Sequence, residues 1–255
     1  MTGPFATEAD LVAAFCDLIE RENSNRNRRA PRWVAYHETG DWDLLLAQDG
    51  TGIQIGIEAK LTLNAKVLEQ ALPQTRYWDT KGPDYRAVLV PRVGKQLHLG
   101  SLADHLGITI LTLEPKCRWS SSARFDPRLP DESNYFGLDD WHSWLPGERV
   151  KLPDYVPDVT GGKASPVALT DWKVRAIKLL ILLDRNGAVT RRDMAALRIS
   201  ASRWTAAHHG FLDRGDGGYV RCGRTPDLRT QHPVNYAEIE ADFDRWFAEM
   251  WKVPA

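Results

Sequence analysis

The stretch "WDLLLAQDGTGIQIGIEAKL", residues 42–61, decides how the first half of the chain is read. "WDLLLAQ" and "IQIGIEAKL" have the alternation of strands, and "DGTG" between them is a strong hairpin signal. The second strand is apolar except near its end, where Glu58 and Lys60 stand between Ile57 and Leu61. Residues two apart on a strand share a face. Asp43 precedes Glu58 by 15 residues, a spacing the hairpin folds back on itself. Asp43, Glu58 and Lys60 are therefore expected to converge at one point. Two carboxylates held together repel unless a cation lies between them, and oxygen ligands suit Mg²⁺ or Mn²⁺ rather than zinc. The plainer alternative is an exposed same-face ion pair, which is worth little.

Elements on either side extend the pattern. Residues 7–22, "TEADLVAAFCDLIERE", carry an apolar stripe of Leu11, Val12, Phe15, Leu18 and Ile19 at helical spacing, with Thr7 and Asp10 placed like a capping box. A polar loop with five arginines follows, then the strand "WVAYHE" (33–38) and the breaker "TGD". After Lys60, "NAKVLEQALPQTRYW" reads as a helix interrupted or ended at Pro73. "YRAVLVP" and "ITILTL" are buried strands separated by a short helix, "LADHLG". The order helix, three strands, helix, strand, helix, strand predicts an α/β (α+β) domain over residues 1–114, with a mixed sheet flanked by helices.

Asp43 followed by Glu58-Ala59-Lys60, on this element order, resembles the PD-(D/E)xK nuclease superfamily. The resemblance covers about residues 5–114 and implies a restriction-endonuclease-like αβββαβ core. It further implies a Mg²⁺- or Mn²⁺-dependent phosphodiester hydrolase acting on DNA. Asp43 and Glu58 would hold the metal, with the Ala59 backbone carbonyl as an added ligand, and Lys60 would position the nucleophile. Members often carry a Glu on the first helix. Glu8 and Glu20 both qualify, and Glu8 is preferred because it extends the inward stripe, within "TEADLVAAF", similar to the first helix of archaeal Holliday-junction resolvases. RecB-like members have a Q-x-x-x-Y motif on the next helix. Here Gln74 and Tyr77 are one residue too close, so the resemblance implies only a similar auxiliary role. The Pro that often precedes the Asp is replaced by Trp42.

Other polar groups near this cluster have plainer readings. Asp41 follows Gly40 and reads as a turn residue. His37 and Glu38 precede the turn; a sheet-edge position is the preferred reading, and the alternative is that one of them reaches the site. The arginine-rich loop between Arg21 and Arg32 is as consistent with a solvated loop as with phosphate contacts.

Residues 115–168, rich in Pro, Ser, Asp and Gly, read as an irregular linker whose scattered tryptophans pack on the first domain. From Leu169 order returns. "DWKVRAIKLLILLDRNG" is a helix closed by Gly187, "TRRDMAALRIS" a second helix capped by Thr190, and "SASRWTAAHH" a third; "FLDRGDGGYVRC" is a hairpin. Three helices and a hairpin over 169–230 predict a winged helix-turn-helix. Residues 171–229 carry a net charge of +6, which favours DNA over a protein partner. Arg191, Arg192, Ser202, Arg203, Arg214 and Arg221 are the candidate contacts, with Thr205, Arg224 and His208 or His209 beside them. Residues 231–255 read as one acidic amphipathic helix, covering this domain or forming a homodimer or partner contact.

Composition is that of an ordinary globular chain: 43% hydrophobic, 26% charged, net charge -1. No apolar run reaches membrane-spanning length, no signal peptide is visible, and three scattered cysteines fit a reducing compartment. A cytoplasmic protein with no membrane partner is expected. The leading functional expectation is a metal-dependent DNA endonuclease of restriction, mobile-element or phage-defence biology. The alternatives are a non-catalytic DNA-binding or regulatory protein on a degenerate nuclease fold, and a protein-interaction adaptor.

Overall fold

A computed structural model describes residues 4–25, 31–72, 81–92, 99–115, 123–130, 140–158, 169–207 and 209–251. They form two compact units, one ending at Leu152 and one beginning at Pro153.

The first unit is built on a six-stranded mixed sheet in chain order, β1 (Trp33–Thr39), β2 (Trp42–Gln48), β3 (Gln54–Ala59), β4 (Tyr85–Pro91), β5 (Thr109–Glu114) and β6 (Arg124–Asp126). The first two pairings are antiparallel, as short turns allow. The β3–β4 and β4–β5 pairings are parallel, as crossovers require. Every residue of β3 is buried, and so is all of β4 after Tyr85, which explains their nearly unbroken apolar sequences.

Helix α1 (Glu8–Asn25) covers one face. Leu11, Val12 and Phe15 pack there with Leu44, Leu46, Ile57, Ala59 and Leu89. Its start is capped reciprocally: the Thr7 N–H donates to Asp10 Oδ2 at 2.9 Å, and the Asp10 N–H to Thr7 Oγ1 at 3.1 Å. Near its end the buried Asn23 amide both donates to the Trp33 carbonyl (2.8 Å) and accepts from the Trp33 N–H (3.0 Å), locking the helix to β1. Helices α2 (Ala65–Ala71) and α3 (Gly100–His105) cover the other face, where Val67, Leu68 and Ala103 meet Trp42, Leu45, Val88 and Val90. Trp42 lies flat on β3 only because residue 56 is glycine: a Cβ there would sit 2.3 Å from its indole.

Within the stretch expected as a linker over 115–168, Trp141 and Trp144 pack on the first unit as expected, but the described residues 123–130 and 140–152 belong to that unit rather than standing apart, for two reasons. β6 extends the sheet antiparallel to β5. The Gln54 side-chain amide donates to the Val150 carbonyl (2.8 Å) and accepts from its N–H (2.9 Å), while the indoles of Trp141 and Trp144 donate to the carbonyls of Arg128 and Gly107. These long-range bonds tie residues 123–130 and 140–152 into the sheet unit. Residues 153–158 instead belong to the second unit.

The second unit centres on α4 (Asp171–Asn186), capped by the Thr170 hydroxyl and closed by Gly187 at φ 76°. Val189 bridges to Tyr219, and then come α5 (Arg191–Ala196), α6 (Ala201–Thr205) and the hairpin β7 (Leu212–Gly215) and β8 (Gly218–Arg221). A complete capping box starts α5, from Thr190 and Asp193. α6 is shorter than the sequence suggests. The chain turns back after Ala206 so tightly that a Cβ on Gly210 would lie 2.7 Å from the Ala206 oxygen. The single terminal helix expected over 231–255 is also divided. α7 (Leu228–Gln231), α8 (Pro233–Ala241) and α9 (Phe243–Met250) follow one another, with a break at Asp242. At that break the buried Trp246 indole donates to the Ile239 carbonyl at 2.7 Å, supplying a bond the continuous helix would have made. Tyr236, Ile239 and Trp246 then join the core around α4.

Candidate functional site

At the carboxyl end of β3, the β2–β3 hairpin and α1 bring four ionisable side chains together. Leu44 pairs with Ile57, and one further step sets Asp43 opposite Glu58. Asp43 Oδ2 accepts the Ala59 N–H at 2.9 Å. Strand alternation turns Glu58 away from Ile57 and Ala59, which pack against α1. Lys60 lies one residue past β3, where its N–H donates to the Leu89 carbonyl. From there its Nζ reaches Glu8 Oε2 at 2.9 Å and Asp43 Oδ2 at 3.8 Å. Glu8 extends the buried stripe as the sequence suggests, whereas Glu20 is exposed. Glu8 is engaged with Lys60, so its visible action is to hold the ammonium.

The electrostatics are unbalanced. Glu58 is 5% exposed. Its carboxyl is pushed up to about 8, first by burial and then by the Asp43 charge, with Glu38 and a hydrogen bond to Asp43 adding and Lys60 opposing. Burial works against the charge on Lys60, but the hydrogen bond to Glu8 and the charges of Asp43, Glu8 and Glu58 outweigh it and hold the ammonium above its ordinary range. Around one cation there are thus four acidic groups, counting Glu38.

Of the two residues before the turn, Glu38, at φ 48°, is the one whose charge reaches Glu58, the less favoured of its two sequence readings. A positive φ at glutamate is strained and has no sequence signal, because it depends on the β1–β2 turn. Asp41, at φ 65°, is an exposed turn residue, as read from the sequence. His37 lies on the edge strand with its Nε2 4.0 Å from Cys16 Sγ, and burial lowers its pKa. Gln74 and Tyr77 fall outside the described residues.

The donor set suits a hard divalent cation. Asp43, which accepts the Ala59 amide, and Glu58, a buried carboxyl in want of positive charge, stand side by side and share a hydrogen bond. Among the described residues no three His, Cys, Asp or Glu side chains form a ready cage. Two carboxylates suffice for Mg²⁺, which keeps waters and takes further oxygens from a phosphate substrate.

In the second unit the expected contact residues have different fates. Arg191, Arg192, Ser202, Arg203 and Arg214 are exposed. Arg191 Nε donates to the Tyr219 hydroxyl at 3.2 Å, Arg192 lies over the Trp251 ring, and Arg203 over Trp172 and Phe211. Arg221 is held by Asp184 at 2.7 Å, and Arg224 by Asp213, so both are partly neutralised. Thr205 turns its hydroxyl back onto the Ala201 carbonyl, His209 is exposed, and His208 lies outside the described residues.

The second unit holds another polar cluster. Lys173 Nζ lies 3.1 Å from His232 Nε2, whose Nδ1 lies 2.8 Å from Asp158 Oδ1. Asp158 Oδ2 also accepts the N–H groups of Val234 and Asn235 at the start of α8. The members are up to 74 residues apart, so no local motif marks them.

Among the described residues no helix is long and apolar enough to cross a membrane. No family model, curated protein or solved structure matches the chain.

Proposed function

We propose that the chain is a metal-dependent DNA endonuclease with a restriction-endonuclease-like first unit and a winged helix-turn-helix in the second. The observation that carries this reading is the meeting of Glu8, Asp43, Glu58 and Lys60 at one strand end, from three separate elements. Mg²⁺ or Mn²⁺, when bound, supplies a water of lowered pKa and offsets charge on a phosphate. Asp43 and Glu58 would hold the cation, with the Ala59 backbone carbonyl at the end of the same strand as a further ligand. Glu8 fixes the Lys60 ammonium, which orients the attacking water and faces the developing charge on the scissile phosphate. The Ala59 amide locks the Asp43 rotamer. Exposed Arg191, Arg192, Arg203 and Arg214 contribute phosphate contacts from the second unit.

Purified protein mixed with plasmid DNA and Mg²⁺ or Mn²⁺ should nick it, and Lys60→Ala should lower the rate by about 10²–10³-fold. Equal nicking by both proteins would remove the assignment. Arg203→Glu should weaken DNA binding and flatten its dependence on salt, leaving Mn²⁺ binding unchanged.

One observation favours a second reading. Lys60 is already engaged by Glu8, as in a site kept for its ion pairs on a non-catalytic DNA-binding protein. Calorimetric titration separates the two: Mn²⁺ binding that disappears in Asp43→Ala supports the enzyme, and no Mn²⁺ binding by the native chain supports the second reading.

A further inference from the structure

On the same sheet face as Glu58, one guanidinium is buried without an acid. Arg86 of β4 stands opposite Gly56, and only 6% of it is exposed. Among the described residues no carboxylate pairs with it. Its Nη1 donates to the Ala71 carbonyl at 3.0 Å, while its Nε has no hydrogen-bond partner. The group lies 5.5 Å from the Trp42 ring centroid and 4.6 Å from that of Trp144. Aromatic faces favour a cation, yet they leave its in-plane donors open. Burial lowers the Arg86 pKa to about 10, a measure of how poorly the surroundings compensate the charge. Gly82 leaves room for Nη2, since a Cβ there would lie 2.8 Å from it.

Arg86 lines a cavity of about 370 Å³, together with Gln70, Lys81, Arg149 and Lys151. Among the described residues, four basic side chains line the cavity against Asp41 and Glu148. Lys81 is held by Glu148 at 3.0 Å and Arg149 by Asp84 at 2.8 Å. Lys151 is exposed and forms no ion pair among the described residues. Burying an uncompensated guanidinium is costly unless something supplies the missing acceptors. A dianionic oxyanion in the cavity brings both acceptor oxygens and negative charge to the guanidinium that lines it.

We infer that this cavity is a binding site for a phosphate monoester, with Arg86 as its anchor and Lys151 at its mouth. The site is separate from the Glu58 cluster and stands whether or not the chain cuts DNA. Its ligand comes either as a free small phosphate or as the phosphorylated end of a nucleic acid strand.

The test is calorimetric titration of the full chain, with EDTA present and ionic strength matched. The probes are inorganic phosphate, deoxyadenosine monophosphate, and one oligonucleotide with and without a 5′-phosphate. Binding of the two small phosphates identifies a free ligand. Binding of the phosphorylated oligonucleotide, with neither its unphosphorylated twin nor the small phosphates, identifies a strand end. In either case Arg86→Met should lower affinity by about tenfold or more, and Lys151→Glu should lower it in the same direction. Should Arg86→Met fail to fold, Lys151→Glu decides, because its exposed position leaves the core untouched. No phosphate-dependent heat from any probe overturns the proposal. So does native affinity in a folded Arg86→Met, or in Lys151→Glu where that variant decides.

Discussion

The two units each gather lysine and carboxylate into a cluster, and they do it in opposite ways. In the helical unit, Lys173, His232 and Asp158 form a chain in which each group meets the next, and the remaining oxygen of Asp158 is taken by backbone amides of α8. The imidazole is fully buried and the Asp158 side chain is 5% exposed. Donors and acceptors match, so the cluster works as a lock between residues 153–158 and the terminal helices. In the sheet unit, Lys60 meets Glu8 and Asp43 while Glu58 remains buried and short of positive charge. A saturated cluster contributes to the fold, whereas one with surplus acid keeps capacity for a cation from outside.

Breaking the lock should have the largest effect. Asp158→Ala leaves His232 and two α8 amides without an acceptor and should cost about 3–5 kcal/mol in denaturant unfolding. A loss below about 1 kcal/mol would show that the chain of bonds is dispensable. The sheet cluster should respond in the other direction. The folded Glu58 carboxyl keeps its proton to about pH 8, while the unfolded one releases it near 4.5. Between those values the folded state binds more protons, so metal-free stability should fall as pH rises from about 4.5 through 8. Glu58→Gln should remove that slope and stabilise the metal-free protein at pH 8 by on the order of 3 kcal/mol. Mn²⁺ should reverse the slope in the native chain and not in the variant. A flat native profile would place Glu58 in a compensated environment and erase the contrast. The smallest effect is expected from Lys173→Met, which keeps the buried stem and deprives His232 of one partner, at about 1 kcal/mol.

Much of the first unit could be read directly. The DGTG hairpin, the Thr7 cap and the apolar strands are local signals, and they bring Asp43 and Glu58 side by side. The choice of Glu8 over Glu20 followed from the phase of one helical stripe. Its engagement with Lys60 did not, because alternation stops constraining a side chain once the strand has ended. β6 escaped notice at three residues, too short for periodicity to register. The break at Asp242 has no Gly or Pro to announce it and depends on where Trp246 finds an acceptor. Arg86 was visible only as one charge in "YRAVLVP", a strand otherwise read as apolar.

The sequence by itself determined the alternating strands, the capped helices, the Gly187 stop and the residues available for chemistry, because each depends on neighbours within a few positions. The tertiary structure decided which charges are satisfied. Asp158 finds His232, and Gln54 finds Val150, across long stretches of chain, whereas Glu58 and Arg86 are buried without full compensation. Burial and pairing are properties of a packed interior, where water no longer screens a charge and only the fold supplies a partner.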